Sequence, residues 1–528
     1  MGFQVRIVIA GAGISGFATL GYLVEHLREI PAVEAVIYLL QPPREICAQN
    51  LTQPQRDRLT QLKAIGLDPS QLFGGGQVYH PMQPSLFTFN GNSAARGFNF
   101  VHRRYDFNDY FEWVQANRDL LASLYPDFAP EQQQQRHDRH TLDDIEGTTP
   151  RGAYGLYLHD QFLALQAHLP AHIKLKIIPE ALKTFSSSVS QATLPADSQT
   201  NSKTDSQQVK QPITVETETH QLVVDYLIEA TGHRYAKLRP EWDGQVFNAY
   251  PCDRYGPNNL PNEITVVGAG PAGIEIALHA LHNLNVKHVT LVSQRAQSRL
   301  PQIEPTEHYE CQWFTRENML HQPTAAYANV LLQKELEACY QACDLPYPGW
   351  DALLNITDYP SFLSNYLKAT KHSPNHPLAY LVRPVMSFYG QIKDFLPTAE
   401  QIKVQQLIAR VRPLFATQSL PCAELMLAAL KAKQLQLLAG EFLLTQPTPT
   451  ILQPGGHEIH PNCVILATGF EPSIPNVNPQ VHDTHYYPVL GTSLSEVHKR
   501  AADVARIIVS GCTIMARNEM IAQQPSIL

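Results

Sequence analysis

The arrangement of apolar and polar positions changes period twice in the same way. Near the start, Val5 to Ala10 form an almost unbroken apolar run. A glycine-rich turn follows, and apolar residues then recur at Phe17, Leu20, Val24 and Leu27, spaced three, four and three. A continuous β-branched run predicts a strand buried on both faces, and the later spacing predicts a helix with one face against a sheet. The pattern returns at Ile264–Val267, a second glycine turn, and Ile274, Ala277, Leu278 and Leu281. Further strand-like runs lie at 36–40, 173–178, 221–225, 226–229, 288–292, 464–466 and 505–509. Between about 301 and 430 the period is helical, as in Leu331, Leu332, Leu336 and Cys339, or Val404, Leu407, Ile408 and Val411. Two stretches, 129–142 and 186–212, are polar and aperiodic; the second reads as a disordered excursion between two strands. The tail from Asn518 reads as a helix end with loose residues.

Both turns have glycines placed to hold a phosphate. They read Gly11-Ala12-Gly13-Ile14-Ser15-Gly16 and Gly268-Ala269-Gly270-Pro271-Ala272-Gly273. The first glycine permits the tight turn, the second lets a pyrophosphate reach the backbone, and the third lets helix and strand approach. The helix start adds free N–H groups and partial positive charge. One such elbow implies a nucleotide site; two imply two nucleotides held close, with electrons passing between them. The next strand of such a unit ordinarily ends in an acid that binds a ribose diol. Here the first is followed by Gln41, which bonds a hydroxyl without charge. The second is followed by Ser293, Gln294 and Arg295. An arginine there suits a 2′-phosphate, which favours NADPH at the second site; the plain alternative is a solvated loop charge.

With these elbows in place, the chain resembles flavoproteins with two dinucleotide-binding domains, the glutathione-reductase-like enzymes and class B flavin monooxygenases. Four more segments carry the resemblance. Ala230-Thr231-Gly232 and Ala467-Thr468-Gly469 end strands, as do the turns that mark domain crossings in that group. Gly74-Gly75-Gly76-Gln77-Val78-Tyr79 looks like the loop that approaches the flavin. Arg151 to Leu158, with Asn90 and Asp106-Phe107 upstream, is similar to a bacterial FAD-NAD(P)-binding family, some members of which hydroxylate amino groups. The resemblance implies an α/β fold of two Rossmann-like domains in a three-layer ββα arrangement, with FAD at the first elbow and NADPH at the second. It also implies a domain plan: FAD domain 1–255, NADP domain 256–300 with 431–475, and a C-terminal return 476–528. The resemblance covers 301–430 poorly; there the helical period and dense aromatics read as a mainly helical insertion that combines core packing with a substrate lid. The chain departs from the pattern at Gln41. It departs again at Ser510-Gly511-Cys512, where the group has a Gly-Asp at the end of a late strand near the flavin; Gly511 is the expected contact there.

Composition narrows the function. The chain has 528 residues and a net charge of −8, with no basic run, which argues against nucleic acid as a main partner. No apolar run approaches the roughly 18 residues of a membrane span. The first strand starts by Val5, so a signal peptide is not expected and a cytoplasmic location is the default. Eight scattered cysteines form no Cys-x-x-Cys pair, and no metal site is expected. Cys339 and Cys343 are four apart on a helix and read as ordinary buried thiols. A dithiol relay is therefore excluded from the expectation, and molecular oxygen becomes the natural electron acceptor.

Catalytic residues are not evident. Gln77 and Asn90 are candidates for hydrogen bonds to a flavin edge or nicotinamide amide, or simply turn caps. Tyr79 stacks near the flavin or is a packed aromatic. His80, His102, His233, Arg103 and Arg104 stand beside the motifs as possible proton or phosphate ligands, against the plainer reading of satisfied or solvated side chains. A Baeyer–Villiger signature is lacking, which favours heteroatom hydroxylation of a small amine or amino acid. Two alternatives remain open: a flavin reductase passing electrons to a quinone or protein partner, and a non-catalytic flavoprotein.

Overall fold

The computed structural model describes residues 3–88, 110–126, 149–187, 212–232, 235, 237–301, 303, 305–415, 418–469, 480–482, 485–486 and 494–522. Asn90, His102, Arg103, Arg104, Asp106, Phe107, His233, the stretch 129–142 and most of 186–212 lie outside the described residues.

Both apolar runs are central strands: the second sheet is all parallel, and the first is parallel but for an antiparallel pair at one edge. In the first sheet the order is Gln480–His482, His485–Tyr486, Tyr226–Glu229, Phe3–Ala10, Val33–Leu40 and Ile173–Ile178. Phe3–Ala10 runs parallel to Val33–Leu40 on one side, with Ile7 opposite Ile37, and to Tyr226–Glu229 on the other. In the second sheet the order is Leu435–Ala439, His288–Ser293, Glu263–Val267, Val464–Leu466 and Val246–Asn248, with every pairing parallel. A parallel sheet covered on both faces leaves its central strands without a solvent face, which is why their sequences show no regular polar alternation. Three-stranded antiparallel sheets flank each: Thr184–Ser187, Ile213–Glu216 and Gln221–Val224 beside the first, and Glu441–Phe442, Ile451–Leu452 and Glu458–Ile459 beside the second. The architecture is α/β with two Rossmann-like units, as the resemblance implied.

Each elbow leads into a helix laid on its own sheet. Helix Ile14–Arg28 buries Phe17, Leu20, Val24 and Leu27, and helix Pro271–Asn283 buries Ile274, Ala277 and Leu278, with Leu281 packed at the edge. The 301–430 region is helical as expected, from Arg316–His321 through Ala325–Ala342, Tyr359–His372 and Thr398–Phe415 to Leu420–Lys431. Its Leu331, Leu336, Val404 and Val411 share one core with Val266 and Ile465 of the second sheet. Burying a Leu or Val side chain contributes about 1.5–3 kcal/mol. The insertion therefore adds a substantial part of the second unit's core.

One element differs from expectation. Residues 505–512 are not a strand but the middle of a long helix, Leu494–Ala522. Its buried positions are Val497, Ala501, Val504, Ala505, Ile508, Val509, Cys512 and Ala516, a spacing that marks a helical stripe. Ile507, which made the run look strand-like, is 39% exposed on the other face. The stripe packs against helix Ile14–Arg28 and shares its core. Gly511 sits inside this helix, so its expected place at a strand end beside a flavin is withdrawn.

Candidate nucleotide sites

The two elbows are nearly superimposable in their logic. Gly11 has φ +104° and Gly268 φ +109°, values that side-chain-bearing residues rarely adopt. Each is also pressed by the following Ala-Thr-Gly turn. A Cβ on Gly11 would stand 2.3 Å from the Ala230 carbonyl oxygen, and one on Gly268 would stand 2.5 Å from that of Ala467. The third glycines are tighter still. A Cβ on Gly16 would lie 1.8 Å from the Gly11 oxygen, and one on Gly273 would lie 1.7 Å from the Gly268 oxygen. Each turn is tied to its sheet by backbone bonds: Gly11 N–H to Leu40 at 2.9 Å and Ala230 N–H to Ala10 at 2.8 Å, then Gly268 N–H to Val292 at 2.8 Å and Ala467 N–H to Val267 at 2.7 Å.

The middle glycines are different, because the protein itself does not need them bare. A Cβ on Gly13 would meet only the Gly76 Cα, at 3.7 Å, an ordinary contact. The atoms nearest to one on Gly270 would be those of the Arg299 guanidinium, from 3.4 Å outward. Both helices start here, with Gly13 and Gly270 as N-caps that supply no side-chain bond to the first free N–H groups. Space and unfilled donors at these positions fit a pyrophosphate, so the residues present suit a dinucleotide at each elbow.

The surroundings of the elbows diverge. The first is neutral. Gly74 N–H bonds the Ala12 carbonyl at 2.8 Å and brings Gly76 against Gly13, so the Gly74–Tyr79 loop does approach this elbow. Gln41 accepts the Ala12 N–H through Oε1 at 3.0 Å, which aligns its amide without adding charge. Ser15 is buried, and its carbonyl accepts from Thr19. Gln77 is exposed, with its carbonyl accepting from Gln83; Val78 and Tyr79 are half-buried. Tyr79 makes an edge contact with Tyr154, the packed-aromatic alternative. His80 is a satisfied core residue: Nε2 meets the Pro69 carbonyl at 2.8 Å, Nδ1 accepts the Met82 N–H, and burial holds its pKa well below the usual value.

The second elbow is cationic. Ser293, the last residue of strand His288–Ser293, uses its hydroxyl to close the turn onto Gln297 at 3.0 Å. Arg295 is exposed and donates to the Arg410 carbonyl at 3.3 Å. Arg299, not singled out from sequence, stands over Gly270. Burial, and then the charge of Arg412, hold its pKa down to about 10. The only sequence signal was an arginine shortly after the second strand, which Arg295 met equally well. Ala272 is half-buried in the first helical turn; Thr231, Thr468 and Gly469 are exposed at the ends of their turns, and Gly232 is half-buried.

A buried polar joint links the two units. Arg151 opens helix Arg151–Ala167; its Nη2 donates to Glu275 Oε1 at 3.0 Å, its Nη1 to the Tyr250 hydroxyl at 2.8 Å, and its Nε to the Thr88 carbonyl at 3.0 Å. Nη2 is also 3.0 Å from Glu275 Oε2, but that oxygen receives no hydrogen bond. Burial pushes the Glu275 carboxyl up, to about 7, against the pull of Arg151; on Arg151 burial acts most strongly, to lower its pKa, but Glu275 together with Tyr250, Tyr79 and Cys422 raises it and keeps the guanidinium charged. Tyr79, in the loop of the first elbow, feels the charges of both. The joint thus stands between the two elbows. Sequence reasoning noted Arg151 only as part of a motif and missed Glu275, whose single clue was an acid on the buried face of an apolar helix.

All eight cysteines are free. Burial raises the thiol pKa of Cys339 and Cys343, and pushes Cys252 and Cys422 up to about 12 and Cys463 up to about 11. Among the described residues no group of three or more His, Cys, Asp or Glu is placed to hold a metal, and no helix is long and apolar enough to cross a membrane.

No curated protein sequence matches the chain at a significant level. Among solved structures, it is similar to the reduced form of an ornithine hydroxylase from Pseudomonas aeruginosa, at 11% identity over 96% of this chain and 99% of that one, with a TM-score of 0.46. It is also similar to an L-lysine 6-monooxygenase from Pseudomonas syringae, at 12% identity over 96% and 99%, TM-score 0.42. A cadaverine monooxygenase from Erwinia amylovora follows, at 11% over 97% and 93%, TM-score 0.42. Figures this low leave the reaction to be read from this chain's own residues. Residues 135–312, which hold the first Ala-Thr-Gly turn and the whole second elbow, match the pyridine nucleotide-disulphide oxidoreductase family.

Proposed function

We propose that this chain is an FAD-dependent oxidoreductase that takes electrons from NADPH and delivers them to molecular oxygen, as a monooxygenase hydroxylating a small amine or amino acid. The observation that supports it most is the pair of elbows, both sterically committed to glycine at first and third positions and open at the middle one, joined through a buried polar contact. A bound flavin supplies hydride acceptance from a nicotinamide and electron transfer onward.

The chain's own residues supply position. Gly13 and the Gly74–Gly76 loop form a neutral backbone cradle suited to a flavin nucleotide held permanently. The second elbow carries arginine charge suited to a more highly charged, exchanging nucleotide, which is the ground for NADPH there. Arg151 and Glu275 fix one unit against the other, so that two ring systems meet in a constant geometry. Thiols held protonated by burial are poor nucleophiles, so a disulfide relay is disfavoured and oxygen is the simpler acceptor. The amine substrate class rests on the sequence resemblance, and the 301–430 insertion is the proposed lid.

The test is anaerobic reduction followed by air. NADPH should bleach the flavin without oxygen. On readmission of air, a panel of diamines and amino acids should contain one member that raises NADPH consumption and yields a hydroxylamine. Consumption matched only by hydrogen peroxide across the panel would remove the monooxygenase reading, and a chain that takes up no flavin would remove the enzyme.

A further inference from the structure

Arg299 and Arg412 present an arrangement that the folded protein alone does not explain. Arg299 is largely withdrawn from water, and among the described residues no carboxylate or carbonyl takes a bond from its guanidinium. Its neighbours are the bare Gly270 on one side and the charge of Arg412 on the other. Two like charges face each other, Arg299 partly desolvated and Arg412 exposed, and an anion between them would relieve the repulsion. Arg412 comes from a different part of the chain: it lies in the last turn of helix Thr398–Phe415, inside the insertion. The loop bearing Arg299 is laced to that helix end. Leu300 N–H bonds the Pro413 carbonyl at 3.2 Å, Arg295 bonds the Arg410 carbonyl, and Gln418 N–H returns to the Leu300 carbonyl at 3.1 Å. The carbonyl end of a helix favours nearby cations, which makes the pairing tolerable but leaves the bonding capacity of Arg299 unused.

We infer that Arg299 and Arg412 form a two-guanidinium clamp on the phosphates of the nucleotide at the second elbow, so that nucleotide binding fastens the helical insertion to the nucleotide-binding sheet. The inference rests on the reading of that elbow as an NADPH site, and goes beyond it in assigning one jaw of the clamp to the insertion. Arg299, over Gly270, reaches the pyrophosphate from the sheet side; Arg412 closes from the insertion side. An empty site carries the repulsion, and a filled site converts it to charge-assisted bonds.

The experiment uses the full-length protein with its flavin content measured. NADP⁺ and 2′,5′-ADP are titrated by calorimetry into the unchanged chain and into Arg412→Gln, Arg412→Lys and Arg299→Gln. Exchange of amide hydrogens in 398–415 is followed with and without NADP⁺. Arg412→Gln should bind both nucleotides about tenfold to a hundredfold more weakly, the range for losing a hydrogen bond to a charged group. Arg412→Lys should recover part of that loss. The nucleotide-free melting temperature of Arg412→Gln should stay level or rise, because a repulsion has been removed; a merely structural arginine would lower it. NADP⁺ should slow exchange in 398–415 of the unchanged chain and have little effect there in Arg412→Gln. If the unchanged chain binds NADP⁺ while Arg412→Gln binds it equally well, the clamp is overturned and the cofactor assignment stands. If the unchanged chain binds neither nucleotide, both are overturned.

Discussion

The two elbows share a backbone and differ in what covers it. At Gly11–Gly16 the cover is another piece of main chain, Gly74–Gly76, with the neutral Gln41 bonded to Ala12. At Gly268–Gly273 it is the guanidinium of Arg299, with Arg412 behind it. A backbone cradle bonds a phosphate without long-range pull and cannot move aside cheaply. A cationic side chain attracts at a distance, can swing, and is weakened by salt. Identical turn geometry can therefore serve a resident group on one side and an exchanging one on the other. The turn fixes the kind of ligand, and the cover fixes how it comes and goes.

The largest effects should come from breaking one elbow at a time. In Gly16→Val and Gly273→Val the new side chain starts 1.8 and 1.7 Å from a carbonyl oxygen, so the turn must open. Gly16→Val should lose its flavin colour while still binding NADP⁺ by calorimetry. Gly273→Val should stay yellow and lose NADP⁺. If either variant lost both ligands while remaining folded by circular dichroism, the elbows would not be separate sites.

Next in size is the joint between them. Glu275→Ala leaves the Arg151 guanidinium buried without its carboxylate, a loss of about 3–5 kcal/mol. Glu275→Gln keeps an oxygen for Arg151 and should cost less. Urea denaturation followed by flavin release would measure both, and a loss below about 1 kcal/mol for the alanine would mean that the joint does not hold the units together.

The acid response should be smaller, and in the second unit it has two clear sources. Burial lowers His279 and His376 from 6.5 to about 4. Folded values below the unfolded ones mean that their contribution is complete above pH 6.5 and fades as pH falls toward 4. Glu275 runs the other way: raised from 4.5 to about 7, its contribution falls as pH climbs through that window. His279→Gln should thus flatten the acid side of a melting-temperature profile between pH 4 and 6.5 and leave the side above pH 7 unchanged. A profile with an unaltered acid side would show that His279 is not held neutral.

The smallest expected change sharpens the contrast at the neutral elbow. Gln41→Glu would make the bond from the Ala12 N–H charge-assisted and offer an acid to a ribose diol. Flavin affinity should rise several-fold, about 1 kcal/mol, read from the flavin retained after dialysis. No gain would indicate that Gln41 already serves the ribose as well as an acid would.

Much of this contrast was visible in the residues before any coordinates. A doubled switch from continuous apolar runs to helical spacing located both elbows, because buried parallel strands and one-sided helices leave unmistakable periods. The Gly74–Tyr79 loop and both Ala-Thr-Gly turns were also found where their sequence suggested. Residues 505–512 misled because Ala-Arg-Ile-Ile-Val-Ser is apolar enough for a strand, and only the wider spacing from Val497 to Ala516 shows the helical stripe. Arg299 and Arg412 could not be paired from sequence, since the insertion that brings them together is a matter of tertiary packing. Arg151 and Glu275 were hidden for the same reason: each lies on a helix whose pattern alone says buried, without saying against what.

The most direct test of the central claim is an anaerobic titration of the purified yellow protein with NADPH, followed by its visible flavin band. Two joined sites predict that one equivalent of NADPH bleaches one equivalent of flavin, and that Gly273→Val, still yellow, no longer responds. A flavin that remains oxidised while NADPH is demonstrably bound would contradict the account, because the second elbow would then hold its nucleotide out of reach of the first.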